Sequence, residues 1–250
     1  SDEINYTSDA LPGKEGATLT LASGKKIRLS DVASGELAKE AGVTISKTAD
    51  GELIYTIEGT GDSNSFNTLS TAGGETYQVK LPDGSRVWLN AASSLTYPTS
   101  LSKDAIRAVK LSGEAYFEIQ KDAARPFVVE TAGQKVEVLG THFNINSYDD
   151  EPAVATTLLE GSIKVQPIGT RTDAVNSATE RILAPGQQAL IKSGALQVRK
   201  VDAENVTDWQ GTAFNLEGVQ FEALMRKISR WYDVEVIYQA GAKKDVSNGG

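Results

Sequence analysis

The sequence predicts a mainly β protein with a small α+β appendix: an antiparallel or solenoid-like twisted β-sandwich followed by a βαβ unit. Three observations predict it. From Ala17 to Val201 apolar residues recur with a period of two. Turns rich in Gly, Asp and Pro break that alternation at short intervals. After residue 214 one segment switches to a helical period.

The first element in order is "ATLTLASGKKIRL". It sets Leu19 and Leu21, then Ile27 and Leu29, on one face around Ser23-Gly24. "TYQVKLPDGSRVWL" repeats the design with Tyr77, Val79 and Leu81, then Val87 and Leu89, around Pro82-Asp83-Gly84. Pro presets φ and Gly takes positive φ, so each is a hairpin with a mechanism. The two superpose at a constant offset of 60: Leu21 on Leu81, Gly24 on Gly84, Ile27 on Val87, Leu29 on Leu89. Two copies are too few for a repeat protein. The polar stretch 58–74, "EGTGDSNSFNTLSTAGG", reads as a linker between a first β unit and the main one.

"VKLSGEAYFEIQ" alternates from Val109 to Ile119, with Lys110, Ser112, Glu114, Tyr116, Glu118 and Gln120 on the wet face. Further strands are expected at Phe127–Glu130, Lys135–Leu139, Phe143–Tyr148, Val154–Leu159, Ile163–Gln166, Ile182–Leu183, Ala189–Lys192 and Leu196–Val201. In "VLGTHFNINSY" the apolar set changes parity, from Val136 and Val138 to Phe143 and Ile145. One residue has slipped into the register at Gly140-Thr141-His142, as in a β-bulge or corner. "FEALMRKISRWY" then spaces Phe221, Leu224, Met225, Ile228, Trp231 and Tyr232 as one helical stripe. "AFNLEGV" before it and "DVEVIY" after it read as strands, giving strand–helix–strand. The expected domains are 1–65, an N-terminal β unit; 66–205, the main β domain; and 206–250, a partial βαβ domain.

Bulk chemistry narrows the function. The formal charge of −8 and the lack of a basic stripe argue against nucleic acid. There is no cysteine, which removes disulfides, thiolate metal sites and Cys nucleophiles. No apolar run reaches the roughly 18 residues of a membrane span. The start "SDEINYTSD", without Met, reads as a segment of something longer.

His142 is the only histidine, and no G-x-S-x-G accompanies it. A strand histidine amid period-two apolar residues reads as structural. One His also fails a zincin or cupin metal site. Glu114 and Glu118 lie about 13 Å apart along one strand, too far for the usual glycosidase pair, and read as a solvated face. "YDDEP" lacks the alternating ligands of a calcium loop. "TAGGE" lacks the Lys-Ser/Thr and helix of a phosphate cradle. No catalytic residue, metal or cofactor is therefore assigned. Aromatic anchors remain: Trp88 on the wet face, Trp209 in the joint, and Trp231 with Tyr232 at the helix end. For Trp209 and Trp231, packing the two domains together is an equal reading.

The runs "LPDGSRVWLNAASSLTYP", "RAVKLSGEAYFEIQKDAARPFVVET", "VEVLGTHFNINSYDD", "ATTLLEGSIKVQ" and "LAPGQQA" resemble the FecR family of anti-sigma factors, in the Bacteroidetes style. "DWQGTAFNLEGVQFEALMRKISRWYDVEVIY" resembles the accompanying C-terminal domain, similar in fold to the short signalling domains of secretins and TonB-dependent transporters. The likeness covers roughly residues 70 to 240. It implies the periplasmic part of an inner-membrane protein with one transmembrane helix. It implies three partners: the periplasmic signalling domain of an outer-membrane TonB-dependent transporter, a periplasmic or membrane protease, and an ECF sigma factor held by a cytoplasmic region not in this sequence. The family carries no catalytic residues. Gly84, Gly113, Gly140, Gly161 and Gly186 are read as structural. The candidate partner surface is Trp231, Tyr232, Glu235, Ile237 and Tyr238, where a strand Asp233–Tyr238 could accept a partner strand. The rival reading is a carbohydrate-binding β-sandwich using Trp88, Tyr116 and Tyr148. A third, an enzyme using Glu114 or Glu118, ranks last.

Overall fold

A computed structural model describes residues 13–40, 42–57, 65–168, 180–211 and 219–238. The chain opens with β1 (Lys14–Glu15), β2 (Thr18–Thr20) and β3 (Lys26–Arg28). A separate meander follows: β4 (Gly35–Glu40), β5 (Val43–Lys47) and β6 (Leu53–Ile57). Then come β7 (Phe66–Ser70), β8 (Glu75–Lys80), β9 (Arg86–Leu89), β10 (Ser94–Pro98) and the long β11 (Arg107–Glu118). The rest of the β domain is β12 (Phe127–Glu130), β13 (Gln134–Val138), β14 (His142–Ser147), β15 (Val154–Glu160), β16 (Ile163–Pro167), β17 (Arg181–Leu183), β18 (Gln187–Lys192) and β19 (Ala195–Lys200). A 3-10 helix (Glu204–Gln210) and α1 (Phe221–Tyr232) close the described chain.

Two sheets share β11. The first runs β17-β16-β13-β12-β11-β10-β7-β2-β3, and the second joins β1, β8, β9, β11, β14, β15, β18 and β19. Residues 107–112 of β11 pair with β12 and β10, whereas 113–118 pair with β14 and β9. The change of sheet falls at Gly113, with φ +87. A Cβ there would meet Ser93 Cα at 2.8 Å, so the crossing needs glycine twice over. Ladders are antiparallel except β11–β12 and β1–β8. One core fills the space between, and Phe117 and Phe143 stack in it at 4.9 Å between ring centroids. Burial of each such ring stabilises by roughly 1.5–3 kcal/mol.

The two hairpins 60 residues apart fold alike. The Leu21 amide donates to Lys25 O at 2.9 Å and the Gly24 amide to Leu21 O at 2.8 Å; Leu81, Ser85 and Gly84 repeat both bonds at 2.8 and 2.9 Å. The stretch expected as a linker is partly strand. β7 pairs with β10 on one side and with β2 on the other, which brings the first hairpin into the first sheet. Alternation of Asn67, Thr68, Leu69 and Ser70 is mostly polar, so hydrophobic period alone missed it; Leu69 is the buried anchor. Residues 58–64 of that stretch lie outside the described residues.

Two charge pairs, one fully buried and one with a buried carboxylate, tie the turns down. Arg107 and Asp83 side chains are 1% and 0% exposed and pair at 2.9 Å. Arg107 also donates to Gln120 O at 2.9 Å and to Arg125 O at 2.8 and 3.0 Å, so all three guanidinium nitrogens have acceptors. Glu75, at the start of β8, accepts from Arg28 of the first hairpin and from the Ala72 amide at 3.2 Å. Arg28 holds the Glu75 carboxyl below the ordinary carboxylate range; burial opposes this less strongly.

At the parity slip, β14 and β15 change register between His142 and Phe143. Gly140 has φ +148, and a Cβ there would lie 2.7 Å from Lys121 Cα. Of the expected βαβ unit, the helix is described. Residues 234–238 have no ladder partner among the described residues, and 213–218 of the preceding expected strand lie outside them. Asp233 ends the helix in the left-handed region, φ 52, and the Val234 amide returns to Ser229 O at 3.0 Å. Val and Ile content favours a strand only where a neighbouring edge supplies bonds.

Gly140→Val is expected to cost roughly 3 kcal/mol and His142→Gln less than about 0.5, read as shifts in urea unfolding midpoint. Because Glu75 has a depressed folded-state pKa, its contribution is present above the unfolded value and lost as pH falls through the folded one. Glu75→Gln should therefore destabilise at pH 7 and flatten the acid limb of stability between neutral pH and the folded pKa. Parallel acid limbs for parent and variant would remove the Arg28–Glu75 pair as the cause.

Candidate functional site

Helix α1 is strongly amphipathic, and among the described residues its ion pairs to the β domain come from its cationic side. Here Arg226, Lys227 and Arg230, on the side nearly opposite Leu224, Met225, Ile228 and Tyr232, hold the β domain. Arg226 Nη2 lies 2.8 Å from Glu151 Oε2, and Arg230 Nη1 lies 2.9 Å from Glu151 Oε1. Arg230 also pairs with Asp150 and sits 3.8 Å over the Tyr148 ring. Lys227 reaches Asp208 of the 3-10 helix at 3.1 Å. No residue of α1 is fully buried. Beyond it Ile237 is 80% exposed and Tyr238 46% exposed.

Under the cationic side lies Glu114. It is 6% exposed, and its two oxygens accept from Asn90 Nδ2 and Asn144 Nδ2, each at 2.9 Å. Trp209 is buried too and donates from Nε1 to Asn144 Oδ1 at 3.3 Å. Asn90, Glu114, Trp209, Lys227, Arg230 and Trp231 line one small void. Burial raises the Glu114 pKa, against the two amide donors and the nearby Lys227 and Arg230 charges. Sequence parity placed Glu114 on a solvated face; this is a correction. The parity is right, but the outer face of that end of β11 is roofed by the 3-10 helix and α1.

The "TAGGE" turn seats the far end of the helix. The Gly74 amide donates to Arg230 O at 2.7 Å, satisfying a carbonyl of the last turn. A side chain at Gly73 would strike the Asp233 carboxylate. "YDDEP" likewise supplies Asp150 and Glu151 to the helix. Sequence reasoning missed both roles, because nothing local marks which loops meet a helix from far along the chain. The surplus of cations on one helix side was the available signal.

The structure separates the candidate partner residues. Tyr232, Glu235, Ile237 and Tyr238 are exposed, and Tyr238 meets Phe221 edge-on at 6.3 Å. Trp231 is half-buried and faces inward, toward the void and Gly13. Of the aromatics for the sugar platform, Trp88 and Tyr116 are half-exposed neighbours at 5.5 Å. Tyr148 is buried, donates to Ala91 O at 2.5 Å and lies under Arg230, which takes it out of that platform. Burial raises its hydroxyl pKa. Among the described residues no group of three His, Cys, Asp or Glu could hold a metal ion.

Two family profiles match the chain: FecR protein over residues 67–164, and FecR, C-terminal, over residues 213–250. The chain belongs to the FecR family. The first match spans the β8–β9 hairpin, β11 and the bulged β14; the second includes α1. Two crystal structures of a candidate anti-sigma factor from Parabacteroides distasonis ATCC 8503 are similar to it. The structure at 1.65 Å shares 28% identity with a TM-score of 0.63, covering 71% of this chain and 80% of that one. The structure at 2.50 Å shares 29% identity with a TM-score of 0.61, covering 68% and 76%. No curated protein matches the chain.

An ionic seat predicts how the FecR-family helix comes away. Arg230 and Glu151 side chains are only 11% and 14% exposed, so Arg230→Ala should cost roughly 2–3 kcal/mol locally. Amide exchange across 221–232 should quicken by tenfold or more, with the amides of β11 and β14 unchanged. Equal acceleration in the β strands would mean the helix is part of the global fold rather than a separable unit.

Proposed function

We propose that this FecR-family chain is the extracytoplasmic, signal-relaying part of an anti-sigma factor. The family profiles and the likeness to a candidate anti-sigma factor support the anti-sigma role. In the fuller reading the chain lies in the periplasm, and one transmembrane helix outside this sequence anchors it to the inner membrane. A cytoplasmic region, also outside it, holds an ECF sigma factor. An outer-membrane TonB-dependent transporter, once loaded, presents its periplasmic signalling domain to the C-terminal unit. A protease then acts on the anchored protein and the sigma factor is set free. The C-terminal unit is read as similar to the short signalling domains of the transporters themselves.

The polar docking of α1 is the observation that carries this reading. The helix is held by charge on one side, and Tyr232, Glu235, Ile237 and Tyr238 are exposed for a partner. A ligand shifts a two-state equilibrium only by its differential affinity for the states. A partner covering the apolar side would bind best where its approach competes with, or completes, the contacts at Glu151 and Glu114. Trp231 sits between exposed Tyr232 and the void, so it can pass a displacement from one to the other.

The mode is strand addition at 233–238, followed by burial of Ile237 and Tyr238. Titration calorimetry against the cognate signalling domain tests it. Ile237→Pro, still folded by circular dichroism, should lose binding by tenfold or more, and Tyr238→Ala should weaken it by about 1–2 kcal/mol. Parent-like binding by the Pro variant would place the partner elsewhere.

A further inference from the structure

The outer face of the second sheet is roofed at one end only. Successive cross-strand neighbours run Lys80, Arg86, Glu118, His142 and Glu160 across β8, β9, β11, β14 and β15. The next row on the same face begins Gln78, Trp88, Tyr116 and Asn144, and Trp209 covers the last of these. Among the described residues the roof therefore stops at Asn144, and Trp88, Tyr116 and the charged row lie beyond it.

Lys80, Gly84, Arg86, Glu118, Ile119, Gln120, Lys121 and His142 line a cleft of about 440 Å3. That volume falls within the range of small-ligand clefts, roughly 300–1,000 Å3. Lys80 and Arg86 face each other directly across β8–β9, an arrangement that disfavours pairing. Among the described residues, neither they nor Lys121 has a carboxylate within ion-pair distance, in a chain of net charge −8. Gly140 admits the Lys121 backbone to close contact, which fixes the cleft's far wall. Beside these cations, Trp88 and Tyr116 form a half-exposed tilted pair at 5.5 Å and 57°.

We infer that this cleft and its aromatic pair bind an acidic saccharide, a short chain of uronic acid residues. The three kinds of group match the three surfaces of such a ring. Arg86, Lys80 and Lys121 complement the carboxylates. Glu118 and Gln120 accept hydroxyl hydrogens. Trp88 and Tyr116 take the apolar C–H face. An acidic peptide would use the cations but leave the aromatic faces and the Glu118 acceptor without a matching surface. A neutral sugar would leave the cations unused. The inference is independent of the signalling role, since it uses neither α1 nor residues 233–238.

The test is titration of the whole chain, at low ionic strength, with galacturonic acid oligomers of three to six residues. Three comparisons accompany it: neutral glucose oligomers of equal length, an oligoglutamate peptide, and the cation variant Lys110→Ala on the first sheet. Saturable binding with Kd below about 1 mM is expected for the uronate oligomers. Arg86→Ala and Lys121→Ala should each weaken it about tenfold, and Trp88→Ala at least as much, while Trp88→Phe keeps most of it. Lys110→Ala should leave it unchanged. The proposal is overturned by absence of saturable binding, by equal binding of the neutral oligomers or of oligoglutamate, or by Lys110→Ala matching Arg86→Ala. Normal engagement of the transporter domain by Arg86→Ala would leave the signalling reading intact in every one of those cases.

Discussion

The passage of β11 from one sheet to the other is the constraint on which the rest of the structure depends. A strand can belong to two ladders only if it turns its pairing edges between them, and Gly113 at positive φ does this beside Ser93. Everything near the candidate site is measured from that point. Glu114 is the next residue, and its partners are Asn90, just past the end of β9, and Asn144 on β14, the two strands that flank the second half of β11. At the other end of β11, Arg107 closes on Asp83 in the β8–β9 turn and on the 120–125 connection. The same strand thus fixes both the cleft by Lys121 and the seat of α1. A side chain at Gly113 would disturb two distant surfaces through one crossing.

Electrostatics divides the outer face of the second sheet into unlike halves. At the Glu114 end, acids from the β domain meet cations from α1, with side chains largely withdrawn from water. Such pairs add little net stability over an apolar contact, but losing one partner is costly. They therefore specify where the helix sits more than how tightly it is held. At the Arg86 end, cations face solvent beside an aromatic pair. One sheet face consequently presents a filled charge interface and an open one, side by side, with Trp209 and Asn144 as the border.

Much of the β domain was legible because its signals are local. Alternation and Gly-containing turns marked the strands from Phe127 to Lys200 within one or two residues, and the parity change around Gly140 marked an irregularity that lies at His142–Phe143. The helix 221–232 was legible from its stripe. What failed was non-local. β7 has one strong apolar anchor, and its ladder with β2 and β10 is visible only when all three are folded. Glu114 has the correct parity for an outer face, but parity cannot show what roofs that face. Residues 233–238 have strand composition, and the strand expected ahead of the helix lies almost wholly outside the described residues. Of the site itself, the aromatics could be picked out, while the acids that receive α1 read as an acidic turn.

The ionic seat of α1 links these points. Among the described residues, the polar contacts that place the helix are the ion pairs of Arg226, Lys227 and Arg230 and the Gly74–Arg230 bond. Partly buried pairs of this kind are each worth on the order of 1–3 kcal/mol against loss of a partner. That is small enough for a single protein partner to overcome, since burial of two or three apolar side chains supplies a comparable amount. A helix seated this way is placed by polar, specific contacts.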